Sequence, residues 1–223
     1  MCGRFNVTEM PGLQNLLDSL GIDVRLPPPR YNVAPTEGVL LLHDGLGELA
    51  RWWLTPSWAK EVSTKYSMFN ARAESLAQSP AFRGPFKSQR GIVPMSSFIE
   101  WRTDHGHKQP WLITNKDSTM AVAALWDVWR SQPAPLLSCT LVTTEAAPEF
   151  QPWHSRMPVM LSRDEYVRWL DNTEEIPPDD PLFCAELKFP LALHPLASVV
   201  GNSRNKNAAL LEPVGKVVWL ESG

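Results

Sequence analysis

Apolar residues recur at Leu13, Leu16, Leu17 and Leu20, a spacing that puts all four on one face of a helix, and Gly21 supplies the stop. Thr8 is the expected N-cap. The pattern then changes. In RLPPPRYNVAPTE (residues 25–37) prolines interrupt any period, and an extended loop is expected. GVLLLHDGLGELARWWL (38–54) predicts two strands about a Gly-rich hairpin. GIVPMSSFIEWRTDHGHKQPWLIT (91–114) predicts a second hairpin with TDHGHK at its tip, and MAVAALWDVW (120–129) and SCTLVTTEA (138–146) predict two more strands. In SRDEYVRWLD (162–171), Ser162 and Glu165 form a capping box, and the helix behind it carries Tyr166, Trp169 and Leu170 on its apolar side. PDDPLFCAELK (178–188) predicts one further short helix. NTEEIPPDDP (172–181) is the best candidate for a break, but too little chain follows it for a second unit. The expected architecture is one α+β domain over residues 1–223, with an antiparallel, barrel-like β-sheet core and flanking short helices.

Composition narrows the class. At 223 residues, 43% hydrophobic and 20% charged, the chain is an ordinary globular protein with enough sequence for a self-sufficient core. No apolar run approaches the roughly 18 residues that span a bilayer, and no secretory leader is visible at the start. Three cysteines, Cys2, Cys139 and Cys184, with no CxxC, argue against both a disulfide framework and a zinc cage, so a reducing cytoplasm is expected. His105 and His107, at the hairpin tip without carboxylate or cysteine ligands nearby, read as surface residues and not as a metal site. A net charge of −3 means that a nucleic-acid partner would need a local basic patch.

The opening MCGRF places a cysteine directly behind the initiator. If Met1 is removed, Cys2 presents an α-amine and a thiol on adjacent carbons. An α-amine has an ordinary pKa of roughly 7.7–8.0, so a useful fraction is nucleophilic near neutrality. It forms a Schiff base with an aldehyde, and the thiol then closes a five-membered thiazolidine. Position alone favours a plainer reading, a small half-buried terminal residue. FNARAES offers Asn70 as an amide beside a reacting group and Arg72 as a phosphate ligand, or equally a capped helix start. In SSFIEWR, Glu100 shares a face with Phe98 if the strand alternates, and desolvation there favours a protonated, proton-shuttling carboxyl. An ion pair with Arg102 is the alternative. In PWHSRMPVML, His154 sits between Pro152 and Pro158 as an acid or base, or as a turn residue binding a carbonyl. Of the tryptophans, Trp52, Trp53 and Trp126 read as core and Trp58, in a loop behind Pro56 and Ser57, as exposed. Lys206, with Arg4, Arg72 and Arg156, offers cations for a phosphate track.

Taken in order, MCGRF, YNVAPT, PSW, FNARAES, FIEWR, HSRMPVML and VVGNSRNKN resemble the SRAP family, the SOS-response-associated peptidase domains now seen as abasic-site processing proteins. The resemblance runs from residue 2 to about residue 213. It implies recognition of abasic sites in single-stranded DNA, often at junctions with duplex, and capture of the sugar aldehyde as a thiazolidine. By the matching motifs, Cys2 would be the nucleophile, Asn70 would orient its amine or the opened sugar, and Glu100 and His154 would move protons. Arg4, Trp58, Arg72 and Arg156 would hold and bend the strand, with Thr143 of LVTTEA near the site. Ala59 departs from the second aromatic that relatives commonly carry after the PSW tryptophan. No cofactor, metal, membrane or obligate protein partner is expected, and nothing in the sequence calls for more than a monomer. The peptidase label refers to removal of whatever precedes Cys2, and β-elimination from the Schiff base would make a secondary lyase.

Two other readings stay open. Glutamine amidotransferases also start Met-Cys-Gly, and RGP at residues 83–85 echoes one of their motifs, although no Asn-Gly pair is present to form their oxyanion turn. A non-covalent single-strand binder using Trp58 and the arginines is the other.

Overall fold

A computed structural model describes residues 2–104, 106–115, 119–131 and 133–222. Among the described residues, fourteen strands form two sheets. Strands β1 (Phe5–Val7), β2 (Arg30–Val33), β7 (Ser97–Asp104), β8 (His107–Asn115), β13 (Leu191–Pro195) and β14 (Val218–Leu220) make the first, in the order β14-β13-β8-β7-β1-β2. The second contains β3 (Gly38–His43), β4 (Leu46–Trp52), β5 (Asn70–Arg72), β6 (Arg90–Met95), β9 (Met120–Trp129), β10 (Leu136–Glu145), β11 (Arg156–Pro158) and β12 (Met160–Leu161). Within it β10, β4, β3, β6 and β9 close on themselves as a five-stranded barrel, because β10 also pairs with β9. Closure removes the exposed edges that such a sheet would otherwise present. The barrel is mixed: β10 runs antiparallel to β9 but parallel to β4 and to β5.

Most of the elements read from the sequence are present. Helix α1 (Met10–Leu20) buries Leu13, Leu16 and Leu17 and ends at Gly21, whose φ of 65° is the left-handed conformation glycine tolerates best. Its cap is Glu9, not Thr8: the Glu9 carboxylate accepts from the Gly12 N–H at 2.7 Å, while Thr8 is drawn to Ser96, its N–H donating to Ser96 Oγ at 3.0 Å. The hairpin β3–β4 turns through Asp44 and Gly45, both at positive φ, as a two-residue turn requires. The proline-rich stretch is not loop throughout, since β2 pairs with β1 over the proline-free residues Arg30–Val33. The expected hairpin over 91–114 divides into three strands. β6 belongs to the barrel and β7–β8 to the other sheet, with Ser96 at the crossing point. Of its tip, His107 is exposed and His105 lies outside the described residues.

The helix α3 (Glu165–Leu170) keeps half of the capping box, the Glu165 carboxylate accepting from the Ser162 N–H at 2.7 Å. The expected helix over 178–188 is a single 3-10 turn at Pro181–Phe183, capped by Asp180. Residues 172–181 are not a break. Ile176 is buried, and Arg168 holds Asp180 at 2.8 Å and Glu174 at 2.7 Å. Arg90 on β6, almost fully buried, donates to the carbonyls of Phe86 in α2 (Arg83–Ser88) at 3.0 Å, Trp169 at 2.8 Å and Glu174 at 2.9 Å. One guanidinium thus ties both short helices to the barrel, its several donors met by carbonyls.

Candidate active site

Alternation along β7 divides its side chains. Phe98 and Glu100 face the main core, while Ile99 and Trp101 face a smaller cluster with Leu112, Leu196, Val200 and Leu210. Strand β1 pairs with β7 through Phe5 opposite Phe98, and the Ile99 N–H reaches back to the Arg4 carbonyl at 2.9 Å. Continued toward the chain start, that pairing brings Cys2 beside Glu100. Cys2 is fully buried and Glu100 is 3% exposed.

Asn70 arrives from the other sheet. It opens β5, which lies parallel to β10, and its amide nitrogen donates to the Cys2 carbonyl oxygen at 2.9 Å. Its buried amide oxygen has no hydrogen-bond partner among the described residues. His154 stands in the turn before β11 and is half-buried. Its Nδ1 accepts from the Arg156 backbone N–H at 2.9 Å and lies 3.1 Å from the Arg156 carbonyl oxygen.

Electrostatics link the group. Burial raises the Glu100 carboxyl above the ordinary range, with the positive side of His154 acting against the shift. Burial first, and the Glu100 charge second, push the Cys2 thiol well up. At neutral pH this thiol stays protonated, so the site as folded does not supply a ready thiolate. Cys2 therefore has beside it a buried carboxyl that holds its proton more tightly than an exposed one and the Asn70 amide donor, with the His154 imidazole acting on the carboxyl. Among the described residues, no group of three or more His, Cys, Asp or Glu side chains is placed to hold a metal.

The sequence-read DNA contacts have mixed positions. Thr143 is fully buried on β10, opposite Arg72 of β5 on one side and Pro158 of β11 on the other. Arg156 grips the Glu74 carboxylate with two bonds, of 2.7 and 2.9 Å, and the Thr143 carbonyl at 2.7 Å. Arg72 is exposed and makes no side-chain hydrogen bond among the described residues. Arg4 is half-buried, bonded to Asn32 Oδ1 at 3.0 Å and the Val200 carbonyl at 3.3 Å, with Trp101 5.8 Å beneath it. Lys206 binds the Asn32 carbonyl at 2.8 Å and the Glu37 carboxylate. Trp58 is 65% exposed, as read, and Trp52 is core, while Trp53 and Trp126 are half-buried. Arg102 does not pair with Glu100 but lies over the Trp153 ring at 5.5 Å.

Asn32 and Asn6 are the residues the sequence reading passed over. Asn32 holds φ at 50°, and its amide nitrogen donates to the carbonyls of Val200, Asn202 and Asn205 at 3.0, 3.1 and 3.2 Å. Its backbone N–H donates to Asn6 Oδ1 at 2.7 Å, and Asn6 Nδ2 to Ser97 Oγ at 2.9 Å. This network fixes the VVGNSRNKN segment against β1, directly behind Cys2 and Arg4. Its one local hint is asparagine's tolerance of the left-handed region.

Comparison with known proteins agrees with the motif order. A crystal structure of a protein from Bacteroides thetaiotaomicron superposes with a TM-score of 0.79 over 96% of this chain and 100% of that one, at 18% identity, which shows the shared fold. Among curated proteins, the abasic site processing protein YoaM of Bacillus subtilis is 38% identical over 229 residues, covering 95% of this chain and 98% of its own. The abasic site processing protein HMCES of Gallus gallus is 28% identical over 74% of this chain and 56% of its own, so the chain spans about half of that relative. A family model described as SOS response associated peptidase (SRAP) matches residues 1–203. With that match covering most of its length, the chain belongs to the SRAP family.

Proposed function

We propose that the protein recognises abasic sites in single-stranded DNA and links to them covalently through Cys2 once Met1 has been removed. The observation that carries this reading is the convergence on Cys2 of Asn70, at 2.9 Å from its carbonyl, and of the buried Glu100 with His154 acting on it. The names of the relatives, abasic site processing proteins, support the choice of substrate.

The chemistry follows from the side chains. An abasic sugar in its open form carries an aldehyde. The Cys2 amine adds to that carbon, and Glu100, whose carboxyl burial makes a weaker acid than usual, gives a proton to the departing hydroxyl, so that one water leaves and an imine forms. The Cys2 sulfur then bonds to the imine carbon and its proton passes to the nitrogen, closing a thiazolidine. Effective molarities of about 10⁵ M or more for well-aligned intramolecular attack favour closure over hydrolysis. A thiol held protonated suits this order, amine first and sulfur second. Asn70 holds the Cys2 backbone and offers its amide oxygen to the amine or a sugar hydroxyl. His154, its Nδ1 held against the Arg156 backbone, serves the sugar hydroxyl during ring opening through Nε2. Arg4, Trp58, Arg72 and Arg156 hold the flanking strand, and Thr143 orients Arg156. The same imine permits β-elimination as a slower lyase side reaction, and the peptidase label corresponds to removal of Met1.

The test is a denaturing gel and intact mass after mixing the protein with single strands that do or do not contain one abasic site. A shifted band confined to the abasic strand, lost in Cys2→Ser, is the expected result. Binding that never survives denaturation assigns the protein to non-covalent single-strand binding instead.

A further inference from the structure

Three side chains of β7, each two residues from the next and so on one face, meet the turn that precedes β11. Phe98 packs on Phe150 at 6.0 Å between ring centroids, the His154 imidazole acts on Glu100, and the Arg102 guanidinium lies over the Trp153 ring at 5.5 Å. Glu100 with His154 is thus the middle contact of three. Trp111 of β8, directly opposite Glu100, closes the outer one. Its ring and that of Trp153 stand in a T at 5.8 Å, with their planes 85° apart.

Gln151, Pro152 and Ser155 of this turn are exposed. Phe150 is fully buried, and its carbonyl accepts from the Trp153 N–H at 2.9 Å and the His154 N–H at 3.4 Å. Phe150 therefore fixes the inner end of the turn, and Trp153 the outer end, one peptide from His154. The Trp153 Nε1 is buried and has no hydrogen-bond partner among the described residues, so packing alone orients that ring. A cation over an aromatic face and an edge-to-face ring contact together favour the packed position by about a factor of ten.

We propose that Trp153, clamped by Arg102 and Trp111, is a positioning residue that holds the His154 imidazole toward Glu100. This rests on the proposed function, in which those two groups move protons. A misplacement of about 1 Å in such a group costs on the order of 10²-fold in rate, so a brace one residue away has leverage without touching the DNA. Plain core filling would not call for a cation. Arg102 nevertheless directs its charge at the Trp153 face, although Glu100 lies two residues away on the same side of the strand.

Amide hydrogen exchange at Arg156 reads the imidazole without DNA, because that N–H donates to His154 Nδ1. Trp153→Leu is expected to speed this exchange about tenfold. Trp153→Phe keeps a flat ring and gives up only an unbonded N–H, so less than about a threefold change is expected. Arg102→Met, at the half-buried end of β7, is expected to give about threefold and carries the comparison if Trp153→Leu does not fold. In single-turnover reaction with an abasic single strand, Trp153→Leu should lower the saturating rate about tenfold and leave the half-saturating DNA concentration within about twofold. In a His154→Ala background the same change should cost nothing further. Exchange unmoved in a Trp153→Leu protein of wild-type melting temperature overturns the inference, and so does adduct formation at the wild-type rate or a rate loss that persists undiminished without His154. Trp153-dependent exchange in a protein that never forms an adduct keeps the clamp and removes the proposed function; adduct formation with exchange and rate both indifferent to Trp153 does the reverse.

Discussion

The side-chain amide of Asn70 donates to the carbonyl oxygen of Cys2 at 2.9 Å, across 68 residues of sequence. It is the bond that ties the barrel-side strand β5 to the chain start, which otherwise belongs to the other sheet. Asn70→Ala leaves a buried carbonyl unpaired and is expected to lower stability by about 1–3 kcal/mol in urea unfolding. Adduct formation is expected to slow on the order of 10²-fold. Asn70→Asp keeps the size but sets a carboxylate against that carbonyl, and it should be the worse of the two. Equal adduct rates for wild type and both variants would remove Asn70 from the site.

Glu100 predisposes the fold to acid. Its folded carboxyl titrates above its unfolded value because burial penalises the charge. Below the unfolded pKa, roughly 4.3, both states hold the proton and the group is neutral to stability. As pH rises past that value the unfolded chain releases its proton first, so the folded state loses stability until its own carboxyl ionises. Glu100→Gln removes this dependence. Melting temperature followed from pH 4 to pH 8 should fall less for the variant than for wild type, and adduct formation by the variant should be slow and without the corresponding pH limb. Parallel melting profiles would show that the carboxyl titrates normally.

Asn32→Ala deletes the three carbonyl bonds to residues 200–205, releases Arg4 and strains a backbone held at φ 50°. At about 1 kcal/mol per net bond, with a similar amount for the backbone, the loss is expected to be about 2–4 kcal/mol in urea unfolding. Asn32→Gly relieves only the backbone part, so it should be the milder change. A loss below about 0.5 kcal/mol for Asn32→Ala would mean that the network contributes little.

Arg72 and Arg156 differ in what a phosphate must displace. Arg72 is exposed, so Arg72→Gln should weaken single-strand binding and reduce the salt slope by about 0.7. Arg156 already holds the Glu74 carboxylate in two bonds. Glu74→Gln removes that competitor, and its expected effect is tighter, more salt-sensitive binding. Weaker binding by Glu74→Gln would show instead that the carboxylate positions Arg156 for its contact.

The parts of this site legible in sequence are those set by short-range pattern. Alternation alone placed Glu100 on the side of Phe98, and Gly21 marked the end of α1. The family resemblance, and not any local pattern, singled out Asn70 and His154 together with Cys2. Pairing between distant segments was not legible: the parallel register of Asn70–Arg72 on β10 joins residues about seventy positions apart, and nothing local encodes it. The same holds for the crossing at Ser96, where one continuous apolar pattern serves two sheets, and for the Glu9 cap, which prevailed because Ser96 engages Thr8. Asn32 escaped notice because prolines dominate its surroundings, although a four-residue strand fits between them.

Chain termini ordinarily fray and accept fusions, but the second residue here is fully enclosed by the core. Any affinity handle or reporter attached ahead of it would occupy the α-amine that the proposed chemistry requires. Engineering of this molecule is therefore one-sided. Labels, surfaces for immobilisation and fusion partners belong after Leu220, where Glu221 already points into solvent, and front-tagged preparations are unsuitable as starting material for assays of Cys2.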